Sequence, residues 1–314
     1  MRIAVVDIGS NSTRILIAER EGDRVTAELF RRSTVTRLGA GVDRDGRLRD
    51  DAMERVYATL AEYSEAMDEH GASERLAVLT SAVRDSANGR DFAAEVESRF
   101  GLTAHVLSGD EEARLTFLGA TSERDASDTT PTLVFDIGGG STEMVIGAGH
   151  EVDFHVSTQA GVVRQTERHL DDDPPTEAQQ RELSDDVRQI LSDAVPEERR
   201  RAVRRAIAVA GTATSLAAIA QDLDPYDPAR VHGYMLSVPE ARTILARLAA
   251  MPLAQRREVA GLHPDRAPTI VAGVLIFLAV TALFGLEEIE ISEHDILRGA
   301  ALGLSSESPP ADAR

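Results

Sequence analysis

Short apolar runs alternate with longer amphipathic stretches along most of this chain, which predicts strands alternating with helices in layered α/β domains. The N-terminal part reads as β-β-β. A helix is predicted over residues 51–69, a strand over 75–79, a helix over 89–100, a strand over 104–107 and a helix over 109–122. Residues 123–131 are polar and without periodicity, the pattern of a linker. The plan then restarts. Residues 5–13 read Val-Val-Asp-Ile-Gly-Ser-Asn-Ser-Thr, and residues 134–142 read Val-Phe-Asp-Ile-Gly-Gly-Gly-Ser-Thr. Each is an apolar strand ending in Asp, a tight Gly/Ser turn and a second apolar run, which is the mark of an internal duplication. Asp171-Asp172-Asp173-Pro174-Pro175 ends one element, and a charged helical region follows over 176–205. Residues 206–210 predict a strand leading into Gly211-Thr212-Ala213-Thr214 and a helix. Helices dominate 239–286, a strand covers 288–291 and a last helix covers 295–304. Two domains are expected, 1–124 and 130–305. The final helix (295–305) is able to pack back on the first domain, and 306–314 reads as a disordered tail.

Composition narrows the chemistry. The 314 residues are 42% hydrophobic, enough for two cores and against disorder. With no Cys and no signal-like start, a reducing, cytoplasmic setting is expected. Residues 269–286 are apolar and uncharged but carry Gly and Thr and sit at the lower edge of membrane-spanning length, so a buried core helix is expected and no membrane partner. The net charge is −19 and all 34 basic residues are Arg. The absence of Lys excludes a Walker P-loop, and the acidity argues against nucleic acid as a partner. It leaves an anionic substrate open, because Arg and backbone N–H groups bind phosphate locally.

The two duplicated turns are the strongest chemical signal. Gly9, Ser10, Asn11 and Ser12 in the first, and Gly138, Gly139, Gly140, Ser141 and Thr142 in the second, can point successive N–H and hydroxyl groups at phosphate. Two such hairpins facing each other would form a two-sided clamp. Asp7 and Asp136 end apolar strands, where a carboxylate is costly without a positive partner; a hydrated Mg²⁺ between carboxylate and phosphate fits. Either turn alone also fits an ordinary hairpin whose Asp caps its own backbone. Gly211 and Thr212 form a third candidate phosphate loop at a helix start, equally readable as plain N-capping. Ser108 and Glu111 fit a capping box, which leaves Glu112 without a structural task and free to orient a water. Glu143 could share a metal with Asp136 or be an ordinary exposed strand residue. Arg84, at the end of a predicted strand, and Arg266, before the apolar helix, could meet phosphate or lie in surface regions, Arg84 beside Asp85.

These residues resemble a known family. Asp7 to Ser12, Ser108-Gly109-Asp110-Glu111-Glu112-Ala113-Arg114 and Asp136 to Glu143 resemble motifs of the exopolyphosphatase/guanosine pentaphosphate phosphohydrolase (Ppx/GppA) family. So do Arg37-Leu38-Gly39, Ala160-Gly161-Val162-Val163-Arg164 and Ser292-Glu293-His294-Asp295-Ile296-Leu297-Arg298-Gly299. The resemblance runs over residues 3–303. It implies the acetate and sugar kinase/Hsp70/actin fold: duplicated actin-like, ribonuclease H-like α/β domains with an inter-domain cleft. It implies Mg²⁺-dependent hydrolysis of terminal phosphate, with Glu112 as catalytic residue, Asp136 and Glu143 as metal acids, and Arg84 and Arg266 contacting the anion. The longest members carry additional C-terminal domains, so short polyphosphate is the expected substrate here. Guanosine pentaphosphate is the near alternative. A kinase of the same fold and a non-catalytic sensor of alarmone or polyphosphate are the readings from other classes. A homodimer is the default expectation.

Overall fold

The computed structural model describes residues 1–304; the tail expected to be disordered lies outside the described residues. The chain divides into two units, Met1–Ser122 joined by the residues from Asp295, and Glu123–His294. The final helix, Ile296–Gly303, therefore belongs to the first unit rather than to a domain running to residue 305.

In the first unit, β1 (Arg2–Ile8), β2 (Ser12–Glu21), β3 (Arg24–Val35), β4 (Glu74–Leu79) and β5 (Thr103–Val106) form one sheet in the order β3-β2-β1-β4-β5. β1, β2 and β3 run antiparallel, whereas β4 and β5 extend the sheet parallel to β1. Alternation along β1 sends Ala4, Val6 and Ile8 to one face, with the helices Asp50–Glu69 and Gly89–Phe100. Ile3 and Val5 go to the other, with Leu115, Ile296, Leu297 and Ala300. Both faces are covered, which is why β1 is an unbroken apolar run.

The second face depends on two glycines. A Cβ on Gly119 would stand 1.9 Å from the Asp295 carbonyl oxygen, and one on Gly299 would stand 1.8 Å from that of Leu115. The helices Gly109–Thr121 and Ile296–Gly303 thus cross with their backbones touching. This contact fixes the helix whose first turn carries Glu112.

The second unit repeats the plan. β6 (Thr132–Ile137), β7 (Thr142–Ala148), β8 (Glu151–Thr158), β9 (Arg205–Val209), β10 (Tyr234–Ser237) and β11 (Glu288–Ile291) lie in the order β10-β11-β9-β6-β7-β8. β6, β7, β8, β9 and β11 take the places of β1, β2, β3, β4 and β5, and β10 is added antiparallel at the edge. The two sheets thus share one strand plan, as the duplicated phrase predicts. The helix Ile270–Phe284 is buried over most of its length, and among the described residues no helix is long and apolar enough to cross a membrane. Among the elements the sequence reading does not name are β8, the helix Val162–His169, β10 and the short helices Val42–Asp45, Ser81–Arg84 and Pro228–Val231.

Candidate active site

The duplicated turns close in the same way. Gly9 N–H donates to the Ser12 carbonyl at 3.0 Å, and Gly138 N–H to the Ser141 carbonyl at 2.9 Å. Each turn is then held by a different neighbour. In the first unit the segment Thr36-Arg37-Leu38-Gly39 wraps the turn: Thr36 and Arg37 N–H both donate to the Asn11 carbonyl, and Gly39 N–H to that of Ser10. Ser10 Oγ lies 3.0 Å from Ser81 Oγ. Arg37 takes φ 51°, a strained conformation for a side-chain-bearing residue, with its side chain exposed. In the second unit the carbonyls of Gly138 and Gly139 receive the Val162 and Val163 N–H groups at 2.9 and 2.8 Å, so the turn caps the helix Val162–His169. The approach is close: a Cβ on Gly161 would stand 2.2 Å from the Gly140 carbonyl carbon. Arg164 Nε donates to the Gly140 carbonyl at 3.1 Å and lays a guanidinium over the turn. Arg37, Ser81 and Arg164 are additional to the site residues that the sequence singles out. Arg37 and Arg164 lie in motifs that carry the family resemblance, and Ser81 had no signal.

The strand-end acids differ between the copies. Asp7 pairs with Arg14 across β1 and β2, and Asp136 pairs with Glu143 across β6 and β7, in the same register. The Asp7 carboxylate accepts from Arg14 at 2.6 and 2.9 Å, and Arg14 reaches on to Asp295 at 2.5 Å. The expectation that Asp7 awaits a metal ion as its positive partner is thereby corrected: Arg14 supplies the charge. Burial nevertheless raises the Asp7 pKa above the ordinary carboxylate value against the pull of Arg14. Its Oδ1 is buried without a hydrogen-bond partner among the described residues, about as far from a Gly9 Cβ (4.0 Å) as Thr80 Oγ1 is. In the second unit Glu143 Oε1 accepts from Ser141 Oγ at 2.5 Å and from Ser157 Oγ at 2.8 Å. Like charges directly opposite across a strand pair repel. Two carboxylates on one face beside a hydroxyl-lined turn fit a hard divalent cation.

Glu112 sits in the first turn of Gly109–Thr121, and the Ser108–Glu111 capping box is present as the sequence predicts. Glu112 is not without a partner, however: Arg84 Nη1 donates to its Oε2 at 2.9 Å and to the Leu107 carbonyl at 2.9 Å. Arg84 ends the short helix Ser81–Arg84 rather than a strand. Burial weakens its charge, yet Glu112 and Asp85 outweigh burial and raise its pKa. The two residues singled out separately in the sequence are thus one ion pair, a few residues from the Ser10–Ser81 contact.

The third turn is also displaced from expectation. β9 ends at Val209 and the helix starts at Ala210 (φ 61°), so Gly211 and Thr212 lie in the first helical turn. No side chain caps this helix, so the plain N-capping reading fails. Gly211 has another purpose. A Cβ there would stand 1.6 Å from Arg266 Nη1, so the guanidinium lies on the bare glycine. Thr212 Oγ1 donates to the Ile137 carbonyl at 3.3 Å, tying this turn to the strand end that precedes Gly138. Gly211, Thr212 and Arg266 are therefore brought together beside the second glycine turn.

Known proteins with this arrangement point one way. The sequence profile of the Ppx/GppA phosphatase family matches residues 16–304. Exopolyphosphatase 2 of Mycobacterium tuberculosis is 36% identical over 316 residues, covering 97% of this chain and 98% of its own. The crystal structure of the Aquifex aeolicus Ppx/GppA phosphatase superposes with a TM-score of 0.79 at 30% identity, covering 96% of this chain and 98% of that one. An exopolyphosphatase from Cytophaga hutchinsonii superposes with a TM-score of 0.85 at 26% identity, covering 98% and 100%. The chain belongs to the Ppx/GppA phosphatase family and is a phosphoanhydride hydrolase.

Proposed function

We propose that this protein is an exopolyphosphatase that removes terminal phosphate from inorganic polyphosphate, with short chains preferred and Glu112 orienting the attacking water. The Arg84–Glu112 ion pair carries the reading. Arg84 holds the Glu112 carboxylate in one place while the substrate site is empty. An incoming terminal phosphate competes for the same guanidinium, and Glu112 is then released to accept a hydrogen bond from water. The water oxygen bonds to the terminal phosphorus as the bridging P–O bond breaks, the shortened chain leaves as a phosphate oxyanion, and the water protons stay with the released orthophosphate. Phosphoryl transfer needs positioning and charge stabilisation more than a strong base, which suits an ionised Glu.

Within the first unit, Arg84 and Glu112 form the ion pair, and the turn Gly9–Ser12 is wrapped by residues 36–39. Within the second unit, Gly211, Thr212 and Arg266 come together beside the turn Gly138–Thr142. Asp136 and Glu143 would hold Mg²⁺, whose bound charge offsets the charge building on the phosphate oxygens.

Phosphate release is to be measured on short polyphosphate, long polyphosphate, guanosine pentaphosphate and ATP, with and without Mg²⁺. Glu112→Gln is expected to lower kcat on short polyphosphate by about 100-fold or more. Undiminished turnover by Glu112→Gln would falsify the role of that residue. Faster turnover of guanosine pentaphosphate would replace the proposed substrate. Tight binding without turnover of any compound would replace the enzyme with a sensor.

A further inference from the structure

Outside these residues lies a cluster of three side chains with no assigned task. Glu123, His232 and His294 each offer a ligand atom, and these atoms all lie within 4.8 Å of one another. All three belong to the second unit, of which Glu123 is the first residue and His294 the last. The backbone brings them together. Gly233, at φ 77°, turns the chain into β10, and its N–H donates to the Ile291 carbonyl at 2.8 Å. His232 is thereby set beside the end of β11, and His294 follows three residues later.

Glu123 Oε2 lies 3.4 Å from His232 Nε2, and Glu123 Oε1 lies 3.9 Å from His294 Nδ1. A tetrahedral ion with bonds of about 2.0–2.1 Å has ligand–ligand edges of about 3.3 Å. The Glu123–His232 separation is already about that long, and one ligand atom from each of the three residues lies within 4.8 Å of the other two. The imidazole rings lie 4.0 Å apart, tilted by 36°.

The surroundings supply an orienting partner. Ser292 Oγ donates to the His294 carbonyl at 3.2 Å and accepts from His294 N–H at 2.9 Å. Its remaining lone pair faces His232 Nδ1 at 3.3 Å, which supports the tautomer with hydrogen on Nδ1 and a lone pair on Nε2 toward Glu123. The Glu293 N–H, also 3.3 Å from Nδ1, supports the opposite tautomer. His232 is therefore held between two states, one of which presents a metal ligand. Metal-bound histidines commonly donate the other ring N–H to an oxygen in this way.

We propose that Glu123, His232 and His294 form a site for a borderline divalent cation of the Zn²⁺ class, separate from the Mg²⁺ acids Asp136 and Glu143. Two imidazoles and one carboxylate are the donor set such an ion takes, with water completing the coordination. Glu123 is exposed and His232 half-exposed, so that position is open to solvent, whereas His294 is buried. The ion would fasten the first residue of the second unit to its last. Glu293, between Ser292 and His294, receives the Tyr226 hydroxyl, which also bonds Thr214 in the helix of the third turn. Occupancy is thus connected through two side chains to the helix beneath Arg266.

The test uses chelator-stripped full-length protein with Mg²⁺ present throughout. Zn²⁺ is titrated by calorimetry, and Co²⁺ by its visible absorption, into the native protein, His232→Asn and His294→Asn. The native protein is expected to take one equivalent of Zn²⁺, to give a Co²⁺ band typical of four- or five-coordination, and to unfold about 4 °C higher at saturation. Each variant is expected to bind at least about 10-fold more weakly and to lose the band. His232→Asn should still release phosphate in Mg²⁺. Equal Zn²⁺ affinity in the native protein and both variants overturns the site, as does the absence of saturable binding in the native protein. If a variant misfolds by circular dichroism, Glu123→Gln is the second probe, and an unchanged Co²⁺ band in it is equally fatal.

Discussion

Asp136 sits directly opposite Glu143 across β6 and β7, at the register where the first unit places Asp7 opposite Arg14. One copy of the duplicated hairpin thus neutralises its own acid, and the other sets two acids side by side. Weakening the acid pair is expected to weaken metal use specifically. Glu143→Gln should raise the Mg²⁺ concentration for half-maximal phosphate release by roughly 10–100-fold. An Mg²⁺ titration of initial rate measures this, and an unshifted midpoint would remove Glu143 from the metal site.

Arg84 makes two contacts from one nitrogen, to Glu112 and to Leu107. Lys cannot reproduce a planar fork that serves a carboxylate, a carbonyl and a phosphate together. Arg84→Lys is expected to raise KM for polyphosphate by about 10-fold and to lower kcat as Glu112 loses its fixed position. Steady-state kinetics separates the two effects, and unchanged values for both would show that the ion pair is only structural.

Gly211 matters for what rests on it. Gly211→Ala places a methyl carbon where Arg266 lies, so the guanidinium has to move. The variant is expected to fold, because the position is helical and tolerates Ala, and to lose about 10-fold in kcat/KM. Arg266→Ala should show a similar loss, and adding Gly211→Ala to it should cost little more. Additive losses would mean that the glycine acts independently of Arg266.

Gly299 is a matter of stability. An added methyl there meets the Leu115 carbonyl and separates two helices that touch through their backbones. Gly299→Ala is expected to destabilise the fold by about 1–3 kcal/mol, read from denaturant unfolding. Since this moves the helix carrying Glu112, activity should fall even where the protein remains folded.

His105, on β5, is buried, and its Nε2 has no partner among the described residues. Burial lowers its pKa below the ordinary imidazole value, against the opposing pull of Glu111 and Glu97. The folded state therefore binds the proton less readily than the unfolded state. The stability of the neutral ring is fully present above the unfolded pKa and is lost as pH falls below it toward the folded one. Between about pH 7.5 and 5.5 the native protein should lose more thermal stability than His105→Gln. Equal losses would place the titrating group elsewhere.

Much of this was legible in the residues alone. The paired turns, the capping box of Ser108 and Glu111, the strand Glu288–Ile291 and the helix Gly89–Phe100 follow from local rules: strand alternation, turn chemistry and N-terminal capping act over a few residues, so the sequence contains them. The duplication was legible for the same reason, since each copy repeats a local phrase.

What the tertiary structure decided are the partnerships between distant residues. Arg14 takes Asp7, Arg84 takes Glu112 across 28 positions, Arg266 lies on Gly211, and Glu123 meets His232 and His294. No periodicity encodes these meetings, because they depend on which strand lies beside which and how closely two helices cross. Asp7 and Asp136 sit in near-identical phrases, yet burial beside an Arg or opposite a Glu gives them different chemistry. That difference is electrostatic and three-dimensional: a carboxylate's task is set by the charge folded against it.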